Sequence, residues 1–159
     1  MKTRLPIFII GLLAVALTSY LVLSSEAKLP SERMMTTLEG QQIKLSDYKG
    51  KVVLVNFWAT SCTGCMQEMP ELKKLQLKYG TDRFQTIAIA MSYDNIEYIK
   101  NYNKKENIPF KIIHDTDGKI AEEFGGVTLT PTNFLIGKNG NLVKKYIGIP
   151  DYAEIISKL

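Results

Sequence analysis

The sequence predicts an α/β domain with a mixed central sheet and helices on both of its faces. Three observations carry that prediction. The run Val52-Val53-Leu54-Val55-Asn56-Phe57 is apolar apart from Asn56, which marks a strand buried on both sides. From Cys65 to Tyr79 the residues Met69, Leu72, Leu75 and Tyr79 instead fall at three- and four-residue steps, the spacing of one helix face. Near the C-terminus, Thr132–Ile136 and Leu142–Ile147 flank Lys138-Asn139-Gly140, a hairpin turn.

The elements follow in order. Lys2 and Arg4 precede Leu5–Leu23, a stretch of 19 residues without charge. As a helix it measures roughly 28 Å, close to the hydrocarbon thickness of a bilayer. A cleavable signal peptide has a shorter apolar core, about 7–15 residues, followed by a small-x-small site. Here Ser24-Ser25-Glu26-Ala27 offers only a weak one. The length favours an uncleaved transmembrane signal anchor (5–23) behind a cytoplasmic stub (1–4), over a cleaved signal or a buried soluble helix. The positive residues stay inside, so the rest of the chain is exported. Residues 24–34 are small, polar and contain Pro30, as expected of a tether.

The domain then occupies residues 35–159. Glu39-Gly40 sits between short extended runs, which predicts an N-terminal β-hairpin over Met35–Leu45, and Leu45–Gly50 turns the chain into the apolar strand. Pro70 lies inside the helical pattern and predicts a kink one turn past the cysteines. Thr86–Met91 reads as a second buried strand and Ile96–Glu106 as a second helix, ending before Ile108-Pro109. Phe110–Ile113 reads as extended, Ile120–Phe124 as a short helix ending at Gly125-Gly126, and Tyr152–Leu159 as a closing helix. The order is hairpin, then βαβα, then ββα.

Composition narrows the function classes. With 159 residues, 45% apolar and 23% charged, the chain holds one folded domain plus an appendage, and disorder is excluded. The net charge of +4 comes from scattered lysines, with no arginine block and no basic stripe interleaved with aromatics, so no nucleic-acid partner is inferred.

The strongest signal is the pair Cys62 and Cys65, the chain's only cysteines, in Cys-Thr-Gly-Cys at the strand-to-helix junction. Thiolate is the reactive form of cysteine, and the free N–H groups of a helix start favour negative charge on the first sulfur. The second sulfur, within one turn, can attack a mixed disulfide and release the partner. A purely structural disulfide across so short a loop gains little chain entropy.

The block Gly50-Lys51-Val52-Val53-Leu54-Val55-Asn56-Phe57-Trp58-Ala59-Thr60-Ser61-Cys62-Thr63-Gly64-Cys65, the following Glu68-Met69-Pro70, and Thr130-Pro131-Thr132 before the last hairpin resemble the thioredoxin superfamily, in its membrane-anchored TlpA/ResA-like branch. The resemblance covers about Met35 to Leu159. It implies the thioredoxin fold and a thiol:disulfide oxidoreductase without cofactor, in which Cys62 attacks and Cys65 resolves. Pro131 would be cis and pack against the disulfide, as X-Pro is the one peptide bond with an accessible cis form. Trp58, Thr130 and Pro131 would meet substrate, with the Thr130 backbone pairing with an incoming strand. Glu68, three residues after Cys65 on the same helix face, would sit beneath the dithiol and shuttle its proton. Asn56 stands where thioredoxin has a buried aspartate. Ser61 and Gly64 depart from the tryptophan and proline common in the family. The resemblance favours reduction of protein disulfides, with apocytochrome c or metal-centre assembly proteins as substrates and a membrane electron donor of the DsbD/CcdA type as recharging partner. The place is the extracytoplasmic (periplasmic) side of a bacterial cytoplasmic membrane. Two alternatives stay open: a disulfide-forming oxidase, and a copper chaperone using Cys62, Cys65 and His114, in the manner of copper-delivery proteins that share the fold.

Overall fold

The computed structural model describes residues 29–80 and 82–159. The stub, the anchor and residues 24–28 of the tether lie outside the described residues. Among those described, no helix is long and apolar enough to cross a membrane.

The domain is built on a five-stranded mixed sheet. Two short strands, β1 (Met35–Thr36) and β2 (Gln42–Ile43), form the expected hairpin, with Gly40 at φ 81° in its turn. A 3₁₀ turn, Leu45–Tyr48, leads into β3 (Val52–Trp58), and α1 (Thr63–Tyr79) follows. Then come β4 (Phe84–Ala90), α2 (Ile96–Glu106), β5 (Lys111–His114), α3 (Lys119–Glu123), β6 (Thr132–Ile136), β7 (Leu142–Ile147) and α4 (Tyr152–Ser157). The strand order is β5-β4-β3-β6-β7, with β3, β4 and β5 parallel and β6 and β7 antiparallel to their neighbours. Every residue of β3 and β4 is buried, in keeping with their mostly apolar runs, and Asn56, Gln85 and Thr86 are the polar residues buried with them.

Helices cover both faces, unevenly. The steps β3→β4→β5 move in one direction, and right-handed crossovers then place α1 and α2 on the same face. There Met69, Leu72 and Leu75 of α1, Ile99 of α2 and Ile155 of α4 pack on Leu54, Ala88 and Leu135. The opposite face is closed by α3 and the N-terminal hairpin, through Met35, Ile43, Ile120 and Phe124 over Val55, Phe57 and Phe134. The hairpin also straps the outer edge of β5: Leu38 N–H donates to the Ile112 carbonyl at 2.9 Å, and Thr37 bridges Ile113.

Two features refine the sequence reading. Lys111–His114 is a full parallel edge strand, so a third parallel strand stands between α2 and α3. Helix α1 runs as a single element through the exposed Pro70, because the proline ring points to solvent and only one ladder hydrogen bond is lost.

Candidate active site

The site is assembled where β3 stops. The Trp58 carbonyl still accepts Met91 N–H at 3.0 Å, and Ala59, Thr60 and Ser61 then swing the chain toward α1. Thr60 is clamped to the buried Asp94, its N–H and Oγ1 donating to the two carboxylate oxygens at 2.6 Å each. Removing that clamp leaves the half-buried Thr60 N–H and hydroxyl without their partner, so Asp94→Ala is expected to lower stability by about 1–2 kcal/mol. Urea denaturation of the oxidised protein measures it; an unchanged midpoint would contradict the assignment.

This turn makes Cys62 the N-cap of α1, and its Sγ accepts the Cys65 N–H at 3.1 Å. Cys62 and Cys65 are joined as a disulfide, with Cα atoms 5.2 Å apart. Cys62 is partly exposed and Cys65 fully buried, so an incoming sulfur can reach only the first. Once the bond is reduced, the Cys62 sulfur stands where the first-turn N–H groups converge, which favours its thiolate.

The Thr130–Pro131 bond is cis. The Pro131 ring rests on Gly64: a Cβ built there would lie 3.3 Å from Pro131 Cδ. The glycine therefore allows the cysteine loop and the proline loop to touch. Gly64→Ala gains helix propensity but crowds the ring, so the two effects offset within about 1 kcal/mol of stability. The displaced proline loop is expected to slow exchange with a peptide disulfide several-fold while leaving a small disulfide such as oxidised dithiothreitol unaffected. Parallel rate measurements check this. Beside the proline, Tyr93 Oη lies 3.3 Å from Thr130 Oγ1. The Thr130 backbone N–H and carbonyl have no partner among the described residues.

Glu68 lies one turn beyond Cys65 and is fully buried. Asn56 Nδ2 donates to its Oε1, and Asn133 Nδ2 donates to its Oε2 at 3.2 Å. The two asparagines face each other across β3 and β6, linked from Asn56 Nδ2 to Asn133 Oδ1 at 2.9 Å. Burial outweighs the two amide donors, which favour the anion, and holds the Glu68 carboxyl at about 7. Tyr152 of α4 also belongs to this cluster. Its hydroxyl is buried without a partner, and burial together with the negative charges of Glu68 and Glu71 raises its pKa far above the ordinary tyrosine value.

The structure thus gathers Cys62, Cys65, Glu68, Thr130 and Pro131. It does not bring Trp58 to the surface. As the last residue of a central strand covered by α2, Trp58 is fully buried against Tyr102, ring centroids 5.5 Å apart, so it supports the site from below and cannot meet substrate there. His114 ends β5, two strands away from β3, and is not part of the cluster. Among the described residues no group of three or more His, Cys, Asp or Glu side chains is placed to hold a metal ion. Sequence reasoning missed Asn133, Asp94 and Tyr93. An amide inside the buried Thr132–Ile136 run was a visible signal, but its pairing with Asn56 depends on strand register.

Comparison with known proteins agrees with this geometry. The family model described as Redoxin matches residues 24–155. The chain belongs to the redoxin family. The ResA thiol-disulfide oxidoreductase of Bacillus thuringiensis is 37% identical over 115 residues, 72% of this redoxin and 65% of that protein. The match to the first of these relatives thus spans less than two thirds of its length. The ResA protein of Bacillus subtilis is 32% identical over 123 residues, 74% of this redoxin and 68% of the relative. Among solved structures, a thiol:disulfide interchange protein of the thioredoxin family from Chlorobium tepidum superposes with a TM-score of 0.71 at 28% identity, covering 79% of this redoxin and 90% of that chain. These similarities place the redoxin in the ResA/TlpA-like thioredoxin branch, with the thioredoxin fold.

Proposed function

We propose that this redoxin is a thiol–disulfide oxidoreductase that reduces disulfides of other proteins. The observation that carries the reading is a disulfide at a helix tip with one sulfur reachable, the other buried, and a carboxyl group titrating near neutrality in the same core. In the reduced state the Cys62 thiolate attacks a substrate disulfide, forming a mixed disulfide and releasing one substrate thiolate. Cys65, its proton passed to Glu68, then attacks Cys62 Sγ. The second substrate thiolate leaves, the Cys62–Cys65 bond closes, and two electrons have passed to the substrate.

The surface suits a polypeptide substrate. Thr132 Oγ1 donates to the Leu129 carbonyl at 2.7 Å and pairs in register with Ile147, which brings Leu129 and Ile147 to one side of the proline loop. Gly148 N–H donates to the Pro131 carbonyl at 2.7 Å, which brings Ile149 close. Leu129 is 61% exposed and Ile147 69%, and Tyr93 and Ile149 are exposed as well. An apolar rim around a reactive sulfur fits a protein partner, and the unpaired Thr130 backbone can add a strand beside it.

The export reading rests on Lys2, Arg4 and the uncharged Leu5–Leu23 stretch. It makes the enzyme a single-pass protein of the cytoplasmic membrane with its domain outside. An exported reductant must be recharged across that membrane, hence a donor of the DsbD/CcdA type. Substrates of the apocytochrome c or metal-centre assembly class come from the branch resemblance. Thiol trapping in cells tests the direction of flow: predominantly reduced Cys62 and Cys65 support a reductase, and predominantly oxidised ones a disulfide-forming enzyme. Failure of the reduced protein to cleave insulin or a peptide disulfide would end the reading altogether.

A further inference from the structure

We propose that Asn133 is a positioning residue that ties the Glu68 carboxyl group to the loop where substrate docks. The inference rests on the reading that Glu68 takes the Cys65 proton, and it adds what makes that proton responsive to docking.

Asn133 has two amide hydrogens and both are used. Nδ2 donates to Glu68 Oε2 at 3.2 Å and to the Gly148 carbonyl at 3.2 Å. Gly148 N–H in turn donates to the Pro131 carbonyl at 2.7 Å. One side-chain amide and one glycine therefore separate the buried carboxyl group from the cis-proline backbone. Asn56 differs, because its hydrogens go to Glu68 Oε1 and Asn133 Oδ1, both inside the cluster. Asn133 alone connects outward.

The donor pattern explains why the link matters. Both amides point hydrogens at Glu68, an arrangement matched to the ionised carboxylate. Asn56 Oδ1 meanwhile is buried without a partner, and a protonated Glu68 could serve it only if the amides reorient. Reorienting Asn133 would withdraw the hydrogen from the Gly148 carbonyl. Protonation of Glu68 and the position of the proline loop thus draw on the same amide, and coupling of this kind acts equally in both directions.

Among the described residues, the side chains hydrogen-bonded to Glu68 are both neutral amides. Asn56 and Asn133 are what β3 and β6 present to Glu68. Cys65 and Glu71 lie on its own helix, and Tyr152 approaches from α4. Tyr146 of β7, paired in register with Asn133, gives its hydroxyl to Glu154 at 2.9 Å.

The test is a carbon-13 NMR titration of the Glu68 carboxyl in the full-length protein in detergent, assigned by its loss in Glu68→Gln. Asn133→Ala removes a donor to the anion, so the midpoint is expected to rise by about one pH unit. Asn133→Leu, similar in size but without the donors, should raise it comparably and stands in if the alanine variant does not fold. Leu135→Ala, which loosens the same strand from its buried side, should lower the melting temperature and leave the midpoint in place. In a Cys65→Ser protein joined through Cys62 to a cysteine peptide, the midpoint should differ from that of the unjoined protein, and Asn133→Ala should erase the difference. An unmoved midpoint in both Asn133 variants, or a docking response that persists without Asn133, overturns the proposal. If the midpoints move as stated while the wild type reduces no peptide disulfide, the positioning role stands and the functional reading fails.

Discussion

A Cys65→Ser protein mixed with a disulfide-bearing polypeptide is expected to accumulate as a covalent adduct through Cys62, with turnover falling to the uncatalysed background. Cys62 holds the N-cap position and is the sulfur open to solvent, so the first attack does not need Cys65. The second attack does. Cys65 is completely buried, and no other cysteine exists in the chain to replace it. The serine hydroxyl cannot displace a thiolate, so the mixed disulfide has no intramolecular exit. Cys62→Ser should capture nothing and turn over nothing. Non-reducing electrophoresis and intact mass measure both outcomes. Adducts forming through position 65 in the Cys62→Ser protein would reverse the assignment of the two sulfurs.

Glu68→Gln is expected to slow exchange about 10²-fold near pH 7, the usual scale for losing a positioned proton carrier. The same substitution should change how stability depends on pH, and the sign is fixed. The carboxyl group titrates at about 7 in the folded protein against an ordinary value of 4.5. The folded state therefore holds its proton more tightly than the unfolded state does. That contribution is complete below about pH 4.5 and is lost as pH rises toward and through 7. The oxidised wild type should lose about 3 kcal/mol across that window relative to Glu68→Gln, which carries no titrating proton there. Denaturation midpoints at pH 4.5 and pH 8 provide the comparison. Parallel pH curves for the two proteins would remove Glu68 from both roles.

Much of this site was legible in the residues because its chemistry is local. Cys62 and Cys65 are marked by their spacing and by the strand that ends before them, whereas Glu68, Thr130 and Pro131 were placed by the family resemblance. The long strands were equally readable: a run such as Val52–Phe57, apolar apart from Asn56, reads as a strand buried on both faces in a small α/β domain. What could not be read was whatever depends on register between distant segments. Asn133 meets Asn56 because β6 runs antiparallel to β3 with that pairing, and nothing within either strand specifies it. Asp94 clamps Thr60 across 34 positions of sequence for the same reason. The extended reading of Phe110–Ile113 matches the strand Lys111–His114 to within a residue, but its parallel pairing with β4 and the hairpin strap on its outer edge depend on distant segments. The resemblance put Trp58 on the substrate surface, whereas its burial follows from α2 packing over the end of β3.

That burial also supplies an optical handle. Trp58 is the chain's sole tryptophan and shares one packed cluster with the cysteine pair. Disulfides quench indole emission at short range and thiols do so less. Ultraviolet-excited fluorescence should therefore brighten as the protein is reduced, letting each half-reaction be followed in a stopped-flow instrument without any attached dye.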